Sequence, residues 1–191
     1  MPSQANSVRI IAGDWRGTRI SIPAATSVRP TPDRVRETLF NWLSPSLAGT
    51  RCLDLFAGTG VLGLEALSRG ARESWFVESD SSLVRCLQRQ IEDLDANGHV
   101  VREDVTRFLQ RPNSERFDLV FLDPPYERPL GLVLEQLATW LSPGARVYIE
   151  RAETRDAGDT LEELAASLAD AELLKEGRAA SVRFGLLGLP K

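Results

Sequence analysis

The tetrapeptide Asp123-Pro124-Pro125-Tyr126 contains the residue types needed to hold an amine. Each proline fixes its own φ and lacks a backbone N–H, so the Asp123 carboxylate and the Pro124 carbonyl become acceptors in a restricted geometry. The Tyr126 ring can stack on a planar base. A base whose exocyclic NH₂ donates both hydrogens here has its nitrogen lone pair directed toward a neighbouring electrophile. The tetrapeptide therefore favours group transfer to a nucleobase amine, with positioning as the main source of rate.

A glycine turn at Gly58-Thr59-Gly60 is the second candidate binding element. It follows an apolar segment that reads as a buried strand and leads into an amphipathic helix. Glycines at 58, 60 and 63 tolerate positive φ and let a ligand approach the backbone, while the helix start presents unpaired N–H groups. Asp54 adds a carboxylate beside them. The spacing also satisfies the dinucleotide fingerprint, with Glu78 at a suitable distance for a ribose hydroxyl, so a nucleoside cofactor is favoured but its type stays open.

Strands and helices alternate along the rest of the chain, which predicts a largely parallel sheet with helices on both faces. Two final β segments around Gly177 predict an antiparallel strand at the end of that sheet. After the strand that precedes the glycine turn, strands are predicted at Ser74–Val77, His99–Arg102, Phe117–Leu122, Ala145–Ile149, Glu172–Lys175 and Val182–Leu187. Helices are predicted at Ser81–Leu94, at Leu130–Leu141 with an end at Ser142-Pro143-Gly144, and at Thr160–Leu168.

Acidic residues follow or end the first four predicted strands. They are Asp54, Glu78, Asp104 and Asp123. In a doubly wound sheet, ligands bind beyond the carboxyl ends of the strands, so these four side chains are the candidates for ligand contact. Glu78 can accept hydrogen bonds from a ribose diol and Asp104 from an adenine amine. The alternative for either residue is that it only caps the helix that follows.

The N-terminal region predicts a β-hairpin. Two β-rich segments, Val8–Ala12 and Thr18–Ile22, flank a glycine-bounded connection. Arg9, Arg16 and Arg19 would lie along this ribbon with Trp15 at its tip. An isolated hairpin is marginally stable, so this one either packs as a solvated edge ribbon or contacts nucleic acid.

A helix is predicted to start after Thr31, which can cap it, with Pro32 at the first helical position and Asp33 in the first turn. Its core-facing residues at helical spacing are Val35, Leu39 and Trp42, and its second face carries Arg34, Thr38 and Asn41. That second face is either solvated or forms one edge of the ligand pocket.

Composition predicts one main domain with a small appendage. The chain has 191 residues, of which 42% are hydrophobic. We expect an N-terminal hairpin extension at 1–30 and the main domain, including its leading helix, at 31–191. The net charge is −4, but residues 1–51 carry seven Arg against three acids, which leaves −8 for residues 52–191. An anionic partner should therefore dock near the N-terminal segment.

The cysteines and the chain start place few constraints on function. Cys52 and Cys86 suggest neither a disulfide framework nor a metal-ligand spacing. The first residues lack a signal-peptide pattern, and no apolar run approaches the roughly twenty residues that a membrane span requires. We therefore expect a soluble, cytoplasmic protein without a bound metal.

Taken together, these motifs resemble class I S-adenosyl-L-methionine-dependent methyltransferases. The resemblance rests on LDLFAGTG at 53–60, on Glu78, on Asp104 and on DPPY at 123–126. Three N-terminal segments, RIIAGDWRG at 9–17, RPTPDRVRE at 29–37 and LFNWL at 39–43, are similar to the bacterial 16S rRNA guanine-N2 methyltransferases of the RsmD family. The similarity runs nearly end to end.

The resemblance implies a fold, a donor and a substrate. The fold is a Rossmann-like, seven-stranded, mainly parallel sheet with an antiparallel last strand. The donor is S-adenosyl-L-methionine. The substrate is 16S rRNA, in the small ribosomal subunit or an assembly intermediate. The methyl group goes to the exocyclic N2 of a guanine, and the guanine implied is guanine 966.

The same resemblance implies roles for particular residues. The glycine turn and Asp54 would hold the methionine part of the donor, Glu78 the ribose and Asp104 the adenine, whereas 123–126 would hold the guanine amine. The implied donor-binding set is Asp54, Phe56, Ala57, Gly58, Thr59, Gly60, Glu78 and Asp104. The implied RNA contacts are Arg9, Trp15, Arg16, Arg19 and Arg34.

Three other functions remain open on the sequence. A DNA amine methyltransferase would use the same tetrapeptide, although such enzymes generally carry additional sequence for target recognition. An NAD-dependent dehydrogenase would use the glycine spacing and Glu78 but leaves the tetrapeptide without a task. A non-catalytic RNA-binding assembly factor would use the basic hairpin alone.

Overall fold

The computed structural model describes residues 7–23, 31–125, 127–152, 160–168, 171–179 and 182–191. In chain order the strands are β1 (Ser7–Arg9), β2 (Arg19–Ser21), β3 (Arg51–Leu55), β4 (Glu73–Glu78), β5 (Gly98–Arg102), β6 (Phe117–Leu122), β7 (Leu141–Ala152), β8 (Glu172–Ala179) and β9 (Val182–Gly188). The helices are α1 (Asp33–Leu43), α2 (Val61–Ser68), α3 (Ser81–Asp93), α4 (Val105–Leu109), α5 (Gly131–Leu137) and α6 (Leu161–Ala166).

Seven of these strands form one sheet in the order β5-β4-β3-β6-β7-β9-β8. The five strands from β5 to β7 are parallel, while β9 runs antiparallel to both of its neighbours. The predicted Rossmann-like fold with an antiparallel last strand is confirmed. The strand order reverses between β3 and β6, and ligands of such sheets bind beyond the carboxyl ends of the strands at this point.

Helices cover both faces of the sheet, because the central strands are apolar on both sides. One buried cluster lies between the sheet and α1, α2 and α3, and it includes Leu39, Leu64 and Phe121. A second cluster lies under α4, α5 and α6, and it includes Phe108 and Leu134. The structure thus presents a single rim of strand ends between two helical layers.

Several local predictions were wrong. The helix predicted at Leu130–Leu141 is α5 followed by a 3-10 turn at Ala138–Trp140, and β7 already begins at Leu141. The segment expected to end that helix instead lies within β7, where the pairing with β6 shifts register and Gly144 adopts φ +71°. Gly177 lies inside β8 rather than between the last strands. Helix α4 was not predicted, because five residues are too few for a clear helical period.

The N-terminal hairpin packs onto α2 through buried polar contacts. Glu65 accepts hydrogen bonds from the backbone N–H groups of Ile11 (2.8 Å) and Ala12 (3.0 Å), and it pairs with the fully buried Arg36 of α1. Gly13, at φ +87°, lies so close to α2 that a Cβ there would come within 1.8 Å of the Ser68 carbonyl oxygen. The hairpin exists as predicted, with shorter strands, and its position is set by these contacts.

Among the described residues, no helix is both long and apolar enough to cross a membrane.

Candidate functional site

The candidate site lies at the carboxyl rim of β3, β4, β6 and β7. Asp54 is the innermost carboxylate, and only 2% of its surface is exposed. Its Oδ2 accepts a hydrogen bond of 3.0 Å from the Gly63 N–H. Burial raises the pKa of Asp54 well above its usual range, the Gly63 bond opposes that rise, and the nearby charges of Asp123 and Glu78 add to it. Asp54 therefore lies against the start of α2, and burial disfavours its charged form.

The glycine turn has the backbone shape that the sequence indicated. Phe56, Gly58 and Gly60 all have positive φ, at 62°, 56° and 73°. Phe56 is the unexpected member, since residues other than glycine seldom adopt this conformation and tend to do so at functional sites. Gly63 serves a different purpose from the one expected. A Cβ there would lie 2.3 Å from the Phe76 ring, so this glycine lets α2 approach the sheet closely.

Glu78 connects the end of β4 to the glycine turn. Its Oε2 accepts a 2.8 Å hydrogen bond from the Gly58 N–H, and its Oε1 accepts one of 2.8 Å from the Asp80 N–H. The cap of α3 is Asp80, which accepts hydrogen bonds from the Ser82 and Leu83 N–H groups. The alternative in which Glu78 caps that helix is thereby excluded. Its carboxylate faces the turn, and its ribose role stays a prediction.

Asp104 has two structural partners. It caps α4 by accepting hydrogen bonds from Thr106 and Arg107 N–H groups, and it forms an ion pair with Arg128, at 3.0 Å from Oδ2 to Nη1. Arg128 lowers the pKa of Asp104, and the helix amides contribute to the same effect. The Arg128 guanidinium also lies over the Phe56 ring, 5.0 Å from its centroid. The predicted capping alternative is therefore real, and the adenine role of Asp104 stays a prediction.

Asp123 follows β6 and is held by Thr31. The Thr31 hydroxyl donates to Asp123 Oδ2 at 3.2 Å. Thr31 does not cap α1, contrary to expectation, because Pro32 is the N-cap residue and no side chain bonds the first turn. Burial raises the pKa of Asp123 to about 6, and the Thr31 hydrogen bond opposes this.

The two prolines that follow Asp123 differ in their exposure to solvent. Pro124 is buried and Pro125 is exposed. Among the described residues, nothing donates a hydrogen bond to the Pro124 carbonyl, which remains available as an acceptor. Tyr126 lies outside the described residues.

The sequence reasoning missed Glu150, near the carboxyl end of β7. Only 3% of its surface is exposed, and its Oε2 accepts a 2.8 Å hydrogen bond from the Tyr148 hydroxyl. Burial raises the pKa of Glu150 to about 8, the Asp123 charge contributes, and the Tyr148 bond opposes the rise. The available signal was a carboxylate directly after the apolar run Val147–Ile149. The rule that identified acids at the first four strand ends would have found Glu150 if applied to the fifth strand.

A groove of about 330 Å³ runs between the hairpin and the start of α1. Arg9 and Arg19 line it, together with Thr31 and Asp33. The two arginines are register partners in the β1–β2 ribbon, and both are exposed. Thr31 lines the groove and also donates a hydrogen bond to Asp123, so this one residue connects the groove to the carboxyl end of β6.

The other predicted RNA contacts differ in exposure. Arg16 and Arg34 are exposed, on the hairpin connection and on α1. Trp15 is partly buried and packs against the core cluster, and its backbone N–H donates to the Ser68 hydroxyl at 3.0 Å. The arginines of the ribbon are therefore exposed to solvent, whereas the Trp15 side chain packs the hairpin against the core.

With this geometry established, comparisons with known proteins identify the family. The family model described as "Conserved hypothetical protein 95" matches residues 8–177. The chain belongs to this family.

Members of the family with assigned names share much of the sequence. Ribosomal RNA small subunit methyltransferase D from Haemophilus influenzae is 42% identical over 158 residues, covering 78% of this chain and 81% of that protein. The enzyme of the same name from Escherichia coli is 42% identical over 154 residues, covering 78% and 76%. The solved structure of yhhF from Escherichia coli superposes with a TM-score of 0.84 at 35% identity, covering 97% and 99%. The predicted membership of the RsmD family is confirmed.

In this member of the RsmD family, the fold brings together Asp54, Glu78, Asp123 and Glu150 at one rim. The rim is rich in hydrogen-bond acceptors, and Asp123 adds negative charge, which suits N–H donors and a cationic ligand. It does not suit a pyrophosphate, because Asp54 already occupies the helix start where a dinucleotide's phosphates would bind. Among the described residues, no group of three or more His, Cys, Asp or Glu side chains could hold a metal ion.

Proposed function

We propose that this protein is an S-adenosyl-L-methionine-dependent methyltransferase that modifies 16S rRNA, and that its target atom is the exocyclic N2 of a guanine. The observation that carries the proposal is the turn after β6, where Thr31 fixes Asp123 and where no group in the described part of the chain donates to the Pro124 carbonyl, the second acceptor. The names of the relatives support RNA of the small subunit as the substrate. Guanine 966 is the position that the family resemblance suggests.

The chemistry of the rim fits the donor. A ribose diol can be accepted by Glu78, whose carboxylate already binds the glycine turn. Asp104 is 42% exposed at its side chain, so an adenine amine can reach it beside the Phe56 ring. When bound, S-adenosyl-L-methionine supplies an electrophilic methyl group on a positively charged sulfur. Asp123, with a pKa of about 6, favours a cation at the adjoining position.

On the acceptor side, the protein's task is to orient one amine. Asp123 and the Pro124 carbonyl accept the two hydrogens of the guanine NH₂, which leaves the nitrogen lone pair facing the methyl donor. Asp123 is ionised at neutral pH, since its pKa is raised only to about 6. It can therefore take the proton that the amine loses after methylation. We further propose, from the sequence, that Tyr126 stacks on the guanine.

The RNA is proposed to approach over the hairpin. Arg9, Arg16, Arg19 and Arg34 are exposed, and the groove lined by Arg9 and Arg19 leads toward Thr31 and Asp123. A stacked guanine must leave its helix to enter such a site, as in other enzymes that modify bases. Phosphate contacts from the arginines would stabilise that conformation.

The direct test uses hypomethylated small subunits and a labelled methyl donor. We expect label in one guanine of 16S rRNA, on N2, mapped by nuclease digestion and mass spectrometry. Asp123→Ala should reduce turnover at least 100-fold, which corresponds to a rise of more than about 2 kcal/mol in the activation free energy. The variant should still bind S-adenosylhomocysteine with near-native affinity. Label on duplex DNA alone would refute the proposal in favour of a DNA amine methyltransferase.

Two further alternatives have separate tests. Thermal-shift titration distinguishes a dehydrogenase, which NAD should stabilise, from a methyltransferase, which S-adenosylhomocysteine should stabilise. A non-catalytic assembly factor would require an Asp123→Ala chain that binds the donor and performs every cellular role without methyl transfer. Loss of the cellular role together with activity would exclude it.

A further inference from the structure

Glu150 is a buried carboxyl that the proposed mechanism has not yet used. It lies on β7, next to β6, and the register pairs Leu122 with Ile149. The next positions along the two parallel strands are Asp123 and Glu150. Register partners in neighbouring strands project to the same face of the sheet, so the two carboxyls are neighbours. The charge of Asp123 raises the pKa of Glu150, which agrees with this placement.

Each of these carboxyls is held through one of its two oxygens by a hydroxyl group. Thr31 donates to Asp123 Oδ2, and Tyr148 donates to Glu150 Oε2. Among the described residues, neither Asp123 Oδ1 nor Glu150 Oε1 has a hydrogen-bond partner, and no arginine or lysine forms an ion pair with either residue. A buried carboxyl without a cation is destabilising unless it has another task.

The edge of guanine supplies two adjacent donors that match these two acceptors. Guanine presents N1–H beside its N2 amine, whereas adenine presents a bare N1 acceptor beside its N6 amine. With N2 held at Asp123, the neighbouring donor is directed toward the next carboxyl on the same face. We propose that Glu150 is a specificity residue for guanine, accepting the N1–H while Asp123 and Pro124 hold the N2 amine. The inference rests on the proposed function and names how its substrate base is selected.

The test separates the N1–H contact from the amine contact by changing both the protein and the base. Small subunits are reconstituted with 16S rRNA that carries either guanine or 2-aminopurine at the target position. 2-Aminopurine keeps the 2-amine but lacks the N1–H. Glu150→Met removes the acceptor at similar volume. At about pH 8.5, above the Glu150 pKa of about 8, the carboxyl is ionised. On guanine we expect the substitution to lower kcat/KM there by about 10- to 100-fold, the range for a hydrogen bond to a charged group. On 2-aminopurine, wild type and variant should have equal kcat/KM.

Controls distinguish specificity from folding. Glu150→Met should keep native affinity for S-adenosylhomocysteine and a native far-UV spectrum. If Glu150→Met folds poorly, Glu150→Gln replaces it in the test, because the glutamine side chain is uncharged but keeps an acceptor oxygen. Its loss on guanine should be about threefold to tenfold, with no loss on 2-aminopurine. The matched control is Glu176→Gln, a strand glutamate on β8 that pairs with Arg183, and it should leave both substrates unaffected.

The outcomes are distinct. An equal loss on both bases would show that Glu150 acts only through the structure of the site and would overturn the inference. No loss on guanine would overturn it as well. If wild-type protein fails to methylate N2 of guanine at all, the proposed function itself fails, independently of Glu150.

Discussion

At the scale of single residues, the site is built from carboxyls that hydroxyl and amide donors hold in place. Thr31 orients Asp123, Tyr148 orients Glu150, and the Gly63 N–H orients Asp54. A carboxyl with one fixed oxygen can present its other oxygen to a ligand without losing rotamer freedom on binding. The Thr31 bond also joins the N-terminal segment to the proposed amine-holding turn.

Thr31→Val should lower kcat because it removes the hydroxyl that fixes Asp123 at almost unchanged volume. The expected loss is about 10- to 100-fold, the range for one hydrogen bond to a charged group. It should be measured by steady-state methyl transfer at saturating donor. Thr31→Ser keeps the hydroxyl and should stay within twofold of wild type. Equal losses in the two variants would assign the effect to the Thr31 methyl group instead.

The stability of the protein should decrease as pH rises, owing to Glu150. Its pKa is raised in the folded protein to about 8, from an ordinary value of 4.5, with Asp123 and Tyr148 as its nearest titratable neighbours. The folded state thus binds the proton more tightly, and the resulting stabilisation is complete below about pH 4.5 and is lost as pH rises through 8. Urea unfolding across pH 5–9 should show a steeper decline for wild type than for Glu150→Gln. The difference should be on the order of a few kcal/mol. Parallel pH curves would contradict it.

At the scale of elements, one buried ion pair joins the hairpin, α1 and α2. Glu65 receives hydrogen bonds from Ile11, Ala12 and Arg36, and also from Arg69 at 2.7 Å. Arg36 in turn donates to the Arg9 carbonyl at 2.9 Å. The backbone under the proposed RNA-binding arginines is therefore anchored to the helix that begins at the glycine turn.

Glu65→Ala should destabilise the protein by about 3–5 kcal/mol, because it leaves the buried Arg36 with only the exposed Asp33 of its two carboxylate partners and removes the acceptor of the Ile11 and Ala12 N–H groups. The measurement is the free energy of unfolding from urea titration. Glu162→Ala provides the control. Its side chain is exposed in the first turn of α6, and its effect should stay within about 0.5 kcal/mol. A Glu65→Ala protein of near-native stability would mean that the hairpin folds without this anchor.

At the scale of the whole molecule, charge is distributed to suit an anionic substrate on one side and a cationic donor at the rim. The N-terminal 51 residues have a net charge of +4 within a chain of net charge −4. Arginines on the hairpin lie on one side of Thr31, and the buried carboxyls lie on the other. The proposed division at residue 30 would place most of the proposed RNA contacts in one part and the rim in the other, and the two parts share one hydrophobic core cluster.

Replacing Arg9, Arg16 and Arg19 together by Ala should weaken binding to 16S rRNA and reduce its salt dependence. Each lost phosphate contact should lower the slope of log K against log salt by roughly 0.7–0.9, for a total of about 2–3. Filter binding at several salt concentrations measures this. Replacing the exposed Arg85, Arg89 and Arg107 of α3 and α4 is the matched control and should affect the slope less. An unchanged slope in the hairpin variant would assign the hairpin a purely structural role.

The fold and the acidic rim could be predicted from the sequence because their signals are local. Strand and helix periods, the glycine turn and the acids at strand ends all lie within short windows, and parallel topology then brings Asp54, Glu78 and Asp123 to one edge. The groups that hold those acids depend on long-range packing. Thr31 bonds a residue 92 positions away, and Ile11 bonds one 54 positions away.

The sequence by itself thus determined the sheet and the glycine turn, and it supplied the proposed roles of that turn in donor binding and of residues 123–126 in holding an amine. Only the tertiary structure showed that Glu150 lies beside Asp123. It also showed that Arg36 forms an ion pair with Glu65, and Arg128 with Asp104. The physical reason is that the spacing of apolar and polar residues along the sequence indicates which face of a strand or helix a side chain lies on. The partner that it meets there, and hence its charge and its hydrogen bonds, is decided by which strands and helices pack together.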